Sequence, residues 1–317
     1  MNYVIMRILY AVFLILSAVL AQPFRAGAAE FHLEAVEHTF DIISPSNPFS
    51  LPTDVVVGKN QRIYVLDGTH NKVKVFDYNG KFLSQFGREG SNGSAFDTPV
   101  GIGIDGSDNI YVCDSQNARI VVFDSRGQFL RDFNIQKKEE MVKPDPVDIA
   151  IDDAKGYAYI TDNANHRIVV YTVTGKYIGE WGSRGEGDGS FRYPATLAFS
   201  PDKRMLYVVD VLNTRVQVFN SDTGKFIRQI GSWGLLPGEM FRPKGVAVDK
   251  KGRVYVTDSY MDVIQVFDDQ ADFQYVLGDG SKKIRRFTSP ASVFIDSNNR
   301  LYVVEVLENK VGVYKIK

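Results

Sequence analysis

The sequence predicts an all-β protein, a six-bladed β-propeller of four-stranded antiparallel blades. Three observations lead to this: a repeat of about 48 residues, short apolar runs between turn residues, and an N-terminal segment that matches a gap in the last repeat. The unit is clearest from Thr98 to Phe133, where four runs of five or six residues are rich in β-branched and aromatic side chains. Gly, Asn, Asp and Ser separate the runs. Four strands per repeat make one propeller blade.

The period is marked by residues that recur in register. A proline opens each unit, a tyrosine lies in the second strand, and an acid follows that tyrosine by three residues. The prolines are Pro52, Pro99, Pro146, Pro194, Pro243 and Pro290. The acids are Asp67, Asp114, Asp162, Asp210, Asp258 and Glu305. Six copies predict a propeller over residues 51–317, with blades that start near residues 51, 98, 145, 193, 242 and 289.

The N-terminal segment is predicted to close the ring. Phe31 to Ile42 is a strand-like run that precedes the first repeat, whereas the sixth repeat stops after its third strand. We therefore expect residues 29–50 to supply a closing strand and a linker, with the strand completing the last blade. Such pairing removes an exposed sheet edge and ties the two termini together.

Residues 1–28 are predicted to be a signal peptide. Arg7 precedes a mostly apolar run from Ile8 to Ala21, and a small-residue tract follows, with cleavage expected near Ala28 or Ala29. The run is short for a membrane span, although an uncleaved anchor is the alternative. No Cys follows the run, which excludes a lipoprotein anchor. We expect a periplasmic or secreted protein with no membrane span after cleavage.

Composition excludes several classes of function. The single cysteine, Cys113, allows no intramolecular disulfide and no cysteine-rich zinc module. Arg7 and Arg25 lie in the predicted leader, so the exported part has 35 basic and 38 acidic residues and a net charge of −3. An acidic domain is not expected to bind nucleic acid by charge. No phosphate-binding loop followed by a helix is present, and we expect no cofactor.

Two repeated features have structural explanations. The middle residue of the first strand is small in four blades, which is what converging blades require near the axis. The turn after the second strand has the pattern acid, two residues, Asn, one residue, base, as in Asp114 to Arg119. We expect the acid to bind turn N–H groups and to pair with the base, including Asp67 with Lys72. A carboxylate present once per blade is a fold element, so the ring of acids is not predicted to be catalytic.

These residues together resemble NHL-repeat β-propellers. The similarity lies in PKGVAVD from Pro243, IYVCD from Ile110, the Asp114 to Arg119 turn and VKVFDYNG from Val73, and it covers Leu51 to Lys317. It implies the propeller fold. Members of that family include sensor ectodomains, protein- or RNA-binding surfaces, and peptidyl-amidoglycolate lyases. The RING modules of its ubiquitin-ligase relatives are not found in this sequence.

The candidate binding residues lie in the loops from each fourth strand to the next first strand and in the turns between second and third strands. Both sets emerge on one face of such a propeller, and loops on a rigid scaffold often carry binding residues. Trp233 takes the place of Glu89 and Arg184 in a loop that also gains two leucines, so it is either a ligand anchor or a cap over the blade. The other candidates are Tyr193, Tyr260, Met261, His70, His166 and Arg285.

The predicted function is that of a non-catalytic binding or scaffold module for a protein, peptide or glycan. The alternative is a metal-dependent lyase or hydrolase acting at the central channel, similar to peptidyl-amidoglycolate lyases. His70 and His166 occupy equivalent turns two blades apart, and no third ligand is apparent, so we predict no metal site and no catalytic residues. The oligomeric state is left open.

Overall fold

The computed structural model describes residues 32–135 and 142–317, and the predicted signal peptide at residues 1–28 lies outside them. The described chain forms six antiparallel β-sheets of four strands, one of which gains a fifth strand, and the prediction of a six-bladed propeller is confirmed. Short 3-10 turns are the other regular elements in this part of the chain.

The strands follow the repeat, because each first strand begins at a repeat proline and each second strand ends at the repeat acid. The N-terminal strands are β1 (Leu33–Ala35) and β2 (Glu37–Ile42). Blades one to three contain β3 (Pro52–Val57), β4 (Ile63–Asp67), β5 (Lys72–Phe76), β6 (Phe82–Phe86), β7 (Pro99–Ile104), β8 (Ile110–Asp114), β9 (Arg119–Phe123), β10 (Phe129–Asn134), β11 (Pro146–Asp152), β12 (Tyr157–Asp162), β13 (Arg167–Thr172) and β14 (Tyr177–Trp181). Blades four to six contain β15 (Pro194–Phe199), β16 (Met205–Asp210), β17 (Arg215–Asn220), β18 (Phe226–Ile230), β19 (Pro243–Val248), β20 (Val254–Asp258), β21 (Val263–Phe267), β22 (Phe273–Gly278), β23 (Pro290–Ile295), β24 (Arg300–Glu305) and β25 (Lys310–Lys315).

The N-terminal strand closes the ring as predicted. β2 pairs antiparallel with β25, with Ile42 opposite Val311, and is the fourth strand of the sixth blade. Phe40 of β2 packs on the turn glycine of the next blade, where a Cβ added to Gly80 would lie 2.8 Å from its ring. That glycine has φ +83°, which also disfavours other residues. The closing strand therefore contributes both ladder hydrogen bonds and interblade packing.

A second N-terminal strand was not predicted from the sequence. β1 pairs parallel with β22, the outer strand of blade five, with Leu33 opposite Val276. Val36 is buried between the two strands, and its N–H donates to the carbonyl of Gly278 at 3.1 Å. The segment predicted as one strand is thus two, since the chain must step from blade five to blade six. The N-terminal segment therefore connects blade five to blade six through its two strands.

The small first-strand residues lie at the axis, as expected. They line a central channel with a volume of about 230 Å³, and the six wall positions are Val56, Gly103, Ala150, Ala198, Ala247 and Phe294. Phe294 lines the channel, packs against the core clusters between blades six and one and between blades one and two, and meets Tyr302 edge-on at 6.4 Å between ring centroids. The hydrophobic core lies between blades, where each cluster combines side chains of two neighbouring sheets. The second-strand tyrosines belong to this buried set.

Each second-strand acid binds the segment that leads into its own blade. Asp114 accepts a hydrogen bond from the backbone N–H of Asp97 at 2.7 Å, and the other five acids have equivalent donors. The sequence had predicted that each acid would accept N–H groups of the turn that follows it, and such bonds are found mainly at Asp258. These carboxylates therefore anchor the incoming loop to the blade, which is a structural role.

The predicted pairs between acid and base are confirmed in four blades and wrong in one. The nitrogen–oxygen distance is 2.7 Å from Arg119 to Asp114, and pairs at equivalent positions hold blades three, four and six. In blade one Asp67 pairs with Lys74 at 2.8 Å and not with Lys72. Lys74 is fully buried, and its ammonium meets the carboxylate inside the blade.

Candidate ligand-binding face

The loop face is the side of the ring where first strands begin and second strands end. Exposed large apolar side chains occur on this face and on the outer strands of the blades. Within the described residues, none is found in the turns of the opposite face, where charged groups such as Lys59, Asp108 and Asp153 form a hydrogen-bonded network. Soluble proteins rarely group exposed apolar side chains without a function. The loop face is therefore the candidate binding surface.

Trp233 is the most exposed large apolar side chain on this face. Three loops have the same backbone bridge, which joins Glu89 to Phe96, Arg184 to Phe191 and Trp233 to Met240. The second residue of each bridge is fully buried and fixes the loop on its blade. The first points outward, and at Trp233 the side chain is 70% exposed. The neighbouring leucines of this loop, Leu235 and Leu236, are 60% and 65% exposed.

A cavity of about 470 Å³, which we call the funnel, opens at the centre of the loop face. Each blade contributes to its wall the residue that follows the repeat proline. These six residues are Thr53, Val100, Val147, Ala195, Lys244 and Ala291. The lining also contains Tyr193, Val211, Leu212 and Val306 and the polar residues Asp54, Asn163 and Thr196, and it is mainly apolar. A pocket of this size and polarity is typical of a ligand site.

Leu212 connects the funnel to a second depression beside Trp233. The leucine lines both cavities, and the outer one also contains Glu186, Arg192 and Gln229 and has a volume of about 400 Å³. Arg192 and Glu186 form an ion pair at 3.0 Å on its exposed rim. The two cavities form one surface with an apolar centre and a polar margin, which resembles the anatomy of a protein interface.

Two buried carboxyl groups lie near the axis: Asp54 lines both the funnel and the channel, and Asp148 lines the channel. Asp54 accepts hydrogen bonds from the N–H groups of Val55 and Ile102, each at 2.8 Å, and from the Ser292 hydroxyl. Asp148 accepts equivalent bonds from Ile149 and from Leu197 of the next blade. Both groups therefore tie neighbouring blades together at the axis.

Burial raises the pKa of Asp54 to about 6, and burial together with the charge of Asp54 raises the pKa of Asp148. The unfolded chain releases the Asp54 proton near its ordinary pKa of 3.8, so between these values the folded state holds more protons than the unfolded state. The contribution of Asp54 to stability consequently falls as the pH rises from about 4 to about 6.

Replacing Asp54 with asparagine is expected to destabilise the protein more in acid than at neutral pH. The amide cannot accept from both backbone N–H groups, which lowers stability at every pH. Asparagine does not ionise, so the variant does not lose stability as the wild type does when Asp54 ionises. Its deficit in unfolding free energy relative to the wild type should therefore shrink by on the order of 2 kcal/mol between about pH 4.5 and about pH 7.5. Urea denaturation of both proteins at the two pH values measures this. An equal deficit at both would contradict the assignment.

The structure brings together two of the candidate residues, His166 and Tyr193. The Tyr193 N–H donates to His166 Nδ1 at 3.0 Å, and the rings meet edge-on at 4.7 Å. Burial lowers the pKa of His166. His166 has φ +56°, the left-handed conformation shared by this turn position in all six blades. The histidine therefore positions Tyr193 at the funnel wall.

The other candidates are spread around the face. Tyr260 is 60% exposed and stacks on Phe241 with 4.0 Å between ring centroids, while Met261 beside it is half-buried. His70 pairs with Asp67 at 2.8 Å. Arg285 lies over the Tyr314 ring at 5.0 Å and donates to its hydroxyl at 3.2 Å, so its guanidinium is held against blade six.

In residues 32–135 and 142–317 no group of three or more His, Cys, Asp or Glu side chains is arranged to hold a metal ion. The same part of the chain contains no helix that is long and apolar enough to cross a membrane.

A family model described as a 6-bladed β-propeller, DUF5128, matches residues 47–143 and 199–276, together more than half of the sequence. The chain belongs to this propeller family. The comparison with curated proteins gave no match.

Solved structures similar to this propeller include both enzymes and binding proteins. A gluconolactonase from Xanthomonas campestris has a TM-score of 0.65 at 15% identity, with 90% of this chain and 96% of that chain covered. An inactive variant of virginiamycin B lyase from Staphylococcus aureus, solved with quinupristin, has a TM-score of 0.60 at 15% identity, covering 86% and 82%. The nidogen/laminin complex gives 0.58 at 17%, covering 78% and 85%. At these identities the likeness shows the propeller fold alone.

Sequence reasoning missed Lys244 and Leu212 in this propeller. The equivalent residues in the other blades gave no indication of a binding role. The funnel forms only when the six blades are arranged in a ring. The residue after each repeat proline could have indicated the site, because it is small or apolar in four blades, threonine in one and lysine in blade five.

Proposed function

We propose that this protein is an exported, NHL-like propeller that binds a protein or peptide on its loop face without catalysing a reaction. Export rests on the predicted signal peptide, and the NHL-like character rests on the repeat motifs. The observation that carries the proposal is a surface that runs from the exposed Trp233 across a polar depression to Leu212 and into the mainly apolar funnel. A tryptophan anchor beside a polar rim is typical of binding hot spots.

The two buried carboxyl groups near the axis favour binding over catalysis. An acid or base in a reaction needs a free lone pair or proton directed at the substrate. The oxygens of Asp54 and Asp148 instead accept backbone N–H groups of adjoining blades, so both carboxyls have structural partners. The gluconolactonase and lyase named above are enzymes, but at such low identity their activities do not transfer to this chain.

Replacing Trp233 with alanine is expected to weaken partner binding and to leave stability almost unchanged. The indole is 70% exposed, so its removal creates no cavity in the folded protein. A buried interface aromatic is worth about 2 kcal/mol or more, which corresponds to roughly a 30-fold loss of affinity. Calorimetric titration of a captured partner and thermal melting of the free variant measure the two quantities.

Trp181, the other tryptophan, is the matched control. It lies half-buried between blades three and four, with its ring 6.0 Å from Tyr159 and 6.3 Å from Phe219. Replacing Trp181 with alanine should lower the melting temperature and leave affinity nearly intact. If the Trp233 variant loses stability and retains binding, Trp233 is a cap over its blade and the proposal is wrong.

Quantitative affinity capture identifies the partner. Wild-type protein, the Trp233→Ala variant and an opposite-face variant, Asp108→Ala, are immobilised and exposed to the same extract. A partner should be retained by wild type and by the opposite-face variant and depleted from the Trp233 variant. Equal capture by all three would contradict a binding site on the loop face.

A further inference from the structure

Lys244 is the one basic residue in the wall of the funnel. It follows the repeat proline of blade five, at the position where the other blades have Thr53, Val100, Val147, Ala195 and Ala291. Its backbone carbonyl accepts the Thr196 hydroxyl at 2.8 Å, which fixes this part of the chain against the neighbouring blade. Lys244 therefore lines the funnel from a strand that is held by a neighbouring blade.

The Lys244 side chain has no partner among the described residues. No carboxylate of that part of the chain lies within ion-pairing distance of its ammonium, and no hydrogen bond from it is formed. It is half-buried, and burial followed by the charge of Arg242 lowers its pKa. A partly desolvated cation without a counter-charge is unfavourable in the free protein. An anion entering the funnel would remove that cost and form a charge-assisted hydrogen bond.

We propose that the funnel binds an amphipathic anion, with the acidic group paired to Lys244 and the apolar body against the wall formed by Val100, Val147, Ala195 and Leu212. The cavity volume of about 470 Å³ is that of a small organic ligand or a short peptide end. A small carboxylate and the C-terminus of a peptide present the same chemistry. The inference rests on the proposed binding role of this face and names the ligand class at its centre.

Two fluorescent probes that share an aromatic body and differ in charge test the inference. The sulfonate of 8-anilinonaphthalene-1-sulfonate stands in for the anionic group, and N-phenyl-1-naphthylamine lacks it. Replacing Lys244 with methionine keeps the length of the side chain and removes its charge. It should weaken sulfonate binding by roughly 10- to 100-fold, the range of a charged hydrogen bond, and should leave binding of the neutral probe unchanged.

Three controls accompany the measurement. Lys244→Arg restores the charge and should keep the sulfonate affinity within a few-fold of wild type. Lys225→Met removes an exposed lysine from an opposite-face turn and should have no effect. Melting curves establish that each variant is folded. Equal sulfonate affinity in the wild type and in Lys244→Met, or an equal loss for both probes, would overturn the proposal.

Competition separates the two sources of the anion. Octanoate and an acetylated leucine-rich tetrapeptide with a free C-terminus are each tested for displacement of the bound sulfonate probe, with the peptide amide as control. Displacement by either acid but not by the amide supports the assignment and shows which body the funnel accepts. Displacement by acid and amide alike contradicts it. The Trp233 capture experiment does not involve Lys244. It tests the binding role of the loop face independently of the ligand class proposed for the funnel.

Discussion

A chain that lacks residues 30–42 is expected to lose its closed monomeric form. The deletion removes the fourth strand of the last blade, exposes the edge of β25 and uncovers Val311, which is fully buried. Burial of Ile42 alone is worth about 2 to 3 kcal/mol, and 1 kcal/mol corresponds to about 2 to 4 °C in a domain of this size. We expect the melting temperature to fall by at least about 10 °C or the product to aggregate.

A shorter deletion separates closure from general damage. Removing residues 30–35 takes away β1, which adds a fifth strand to blade five, and leaves β2 in place. This variant should remain a monomer with a smaller loss of stability. Thermal melting and size-exclusion chromatography of both proteins provide the comparison. If the longer deletion melts like wild type, β2 does not close the ring.

Replacing Arg119 with alanine is expected to lower the free energy of unfolding by about 3 to 5 kcal/mol, as does the loss of one partner from a buried ion pair. The guanidinium is 5% exposed, pairs with Asp114 at 2.7 Å and donates to the carbonyl of Ala95 at 2.8 Å. It also pairs with Asp132. Its removal leaves the buried Asp114 carboxylate without a counter-charge.

Arg126→Ala is the matched control for this variant. Arg126 pairs with Asp124 on the surface, and an exposed pair contributes about 0 to 1 kcal/mol. Denaturant unfolding of both variants compares a buried pair with an exposed one. A similar small loss for the two would mean that the turn of blade two does not depend on its ion pair.

The repeat predicts the fold because one blade cannot bury both of its faces alone. Register marks such as the prolines and the second-strand acids fix the number of blades, and the incomplete last repeat indicates which strand closes it. The same pattern fails where neighbouring blades decide the outcome. Lys74, two residues after Lys72 and on the same face of β5, is the partner of Asp67, and its ammonium also donates to the carbonyls of Asn47 and Pro48 in the segment before blade one. Phe294 is accommodated by packing against side chains of neighbouring blades, which no single repeat reveals.

The site could be predicted in part. Trp233 was apparent because it departs from its equivalents, Glu89 and Arg184, and the loop that carries it has the same bridge as theirs. Lys244 was not apparent because a lysine after a proline is common on surfaces. Its importance arises from an apolar ring assembled from six distant segments. Residues far apart in sequence meet there, and repeat comparison alone does not indicate their distances.

Hydrogen exchange of the protein with and without its captured partner tests the central claim most directly, namely that the loop face is the binding surface. Backbone amides exchange according to local opening and become protected where a partner covers them. We expect protection in residues 231–241 and 258–262 and at the funnel segment around Tyr193. Protection confined to the opposite-face turns at 58–62, 105–109 and 153–156, with the loop face unchanged, would contradict it.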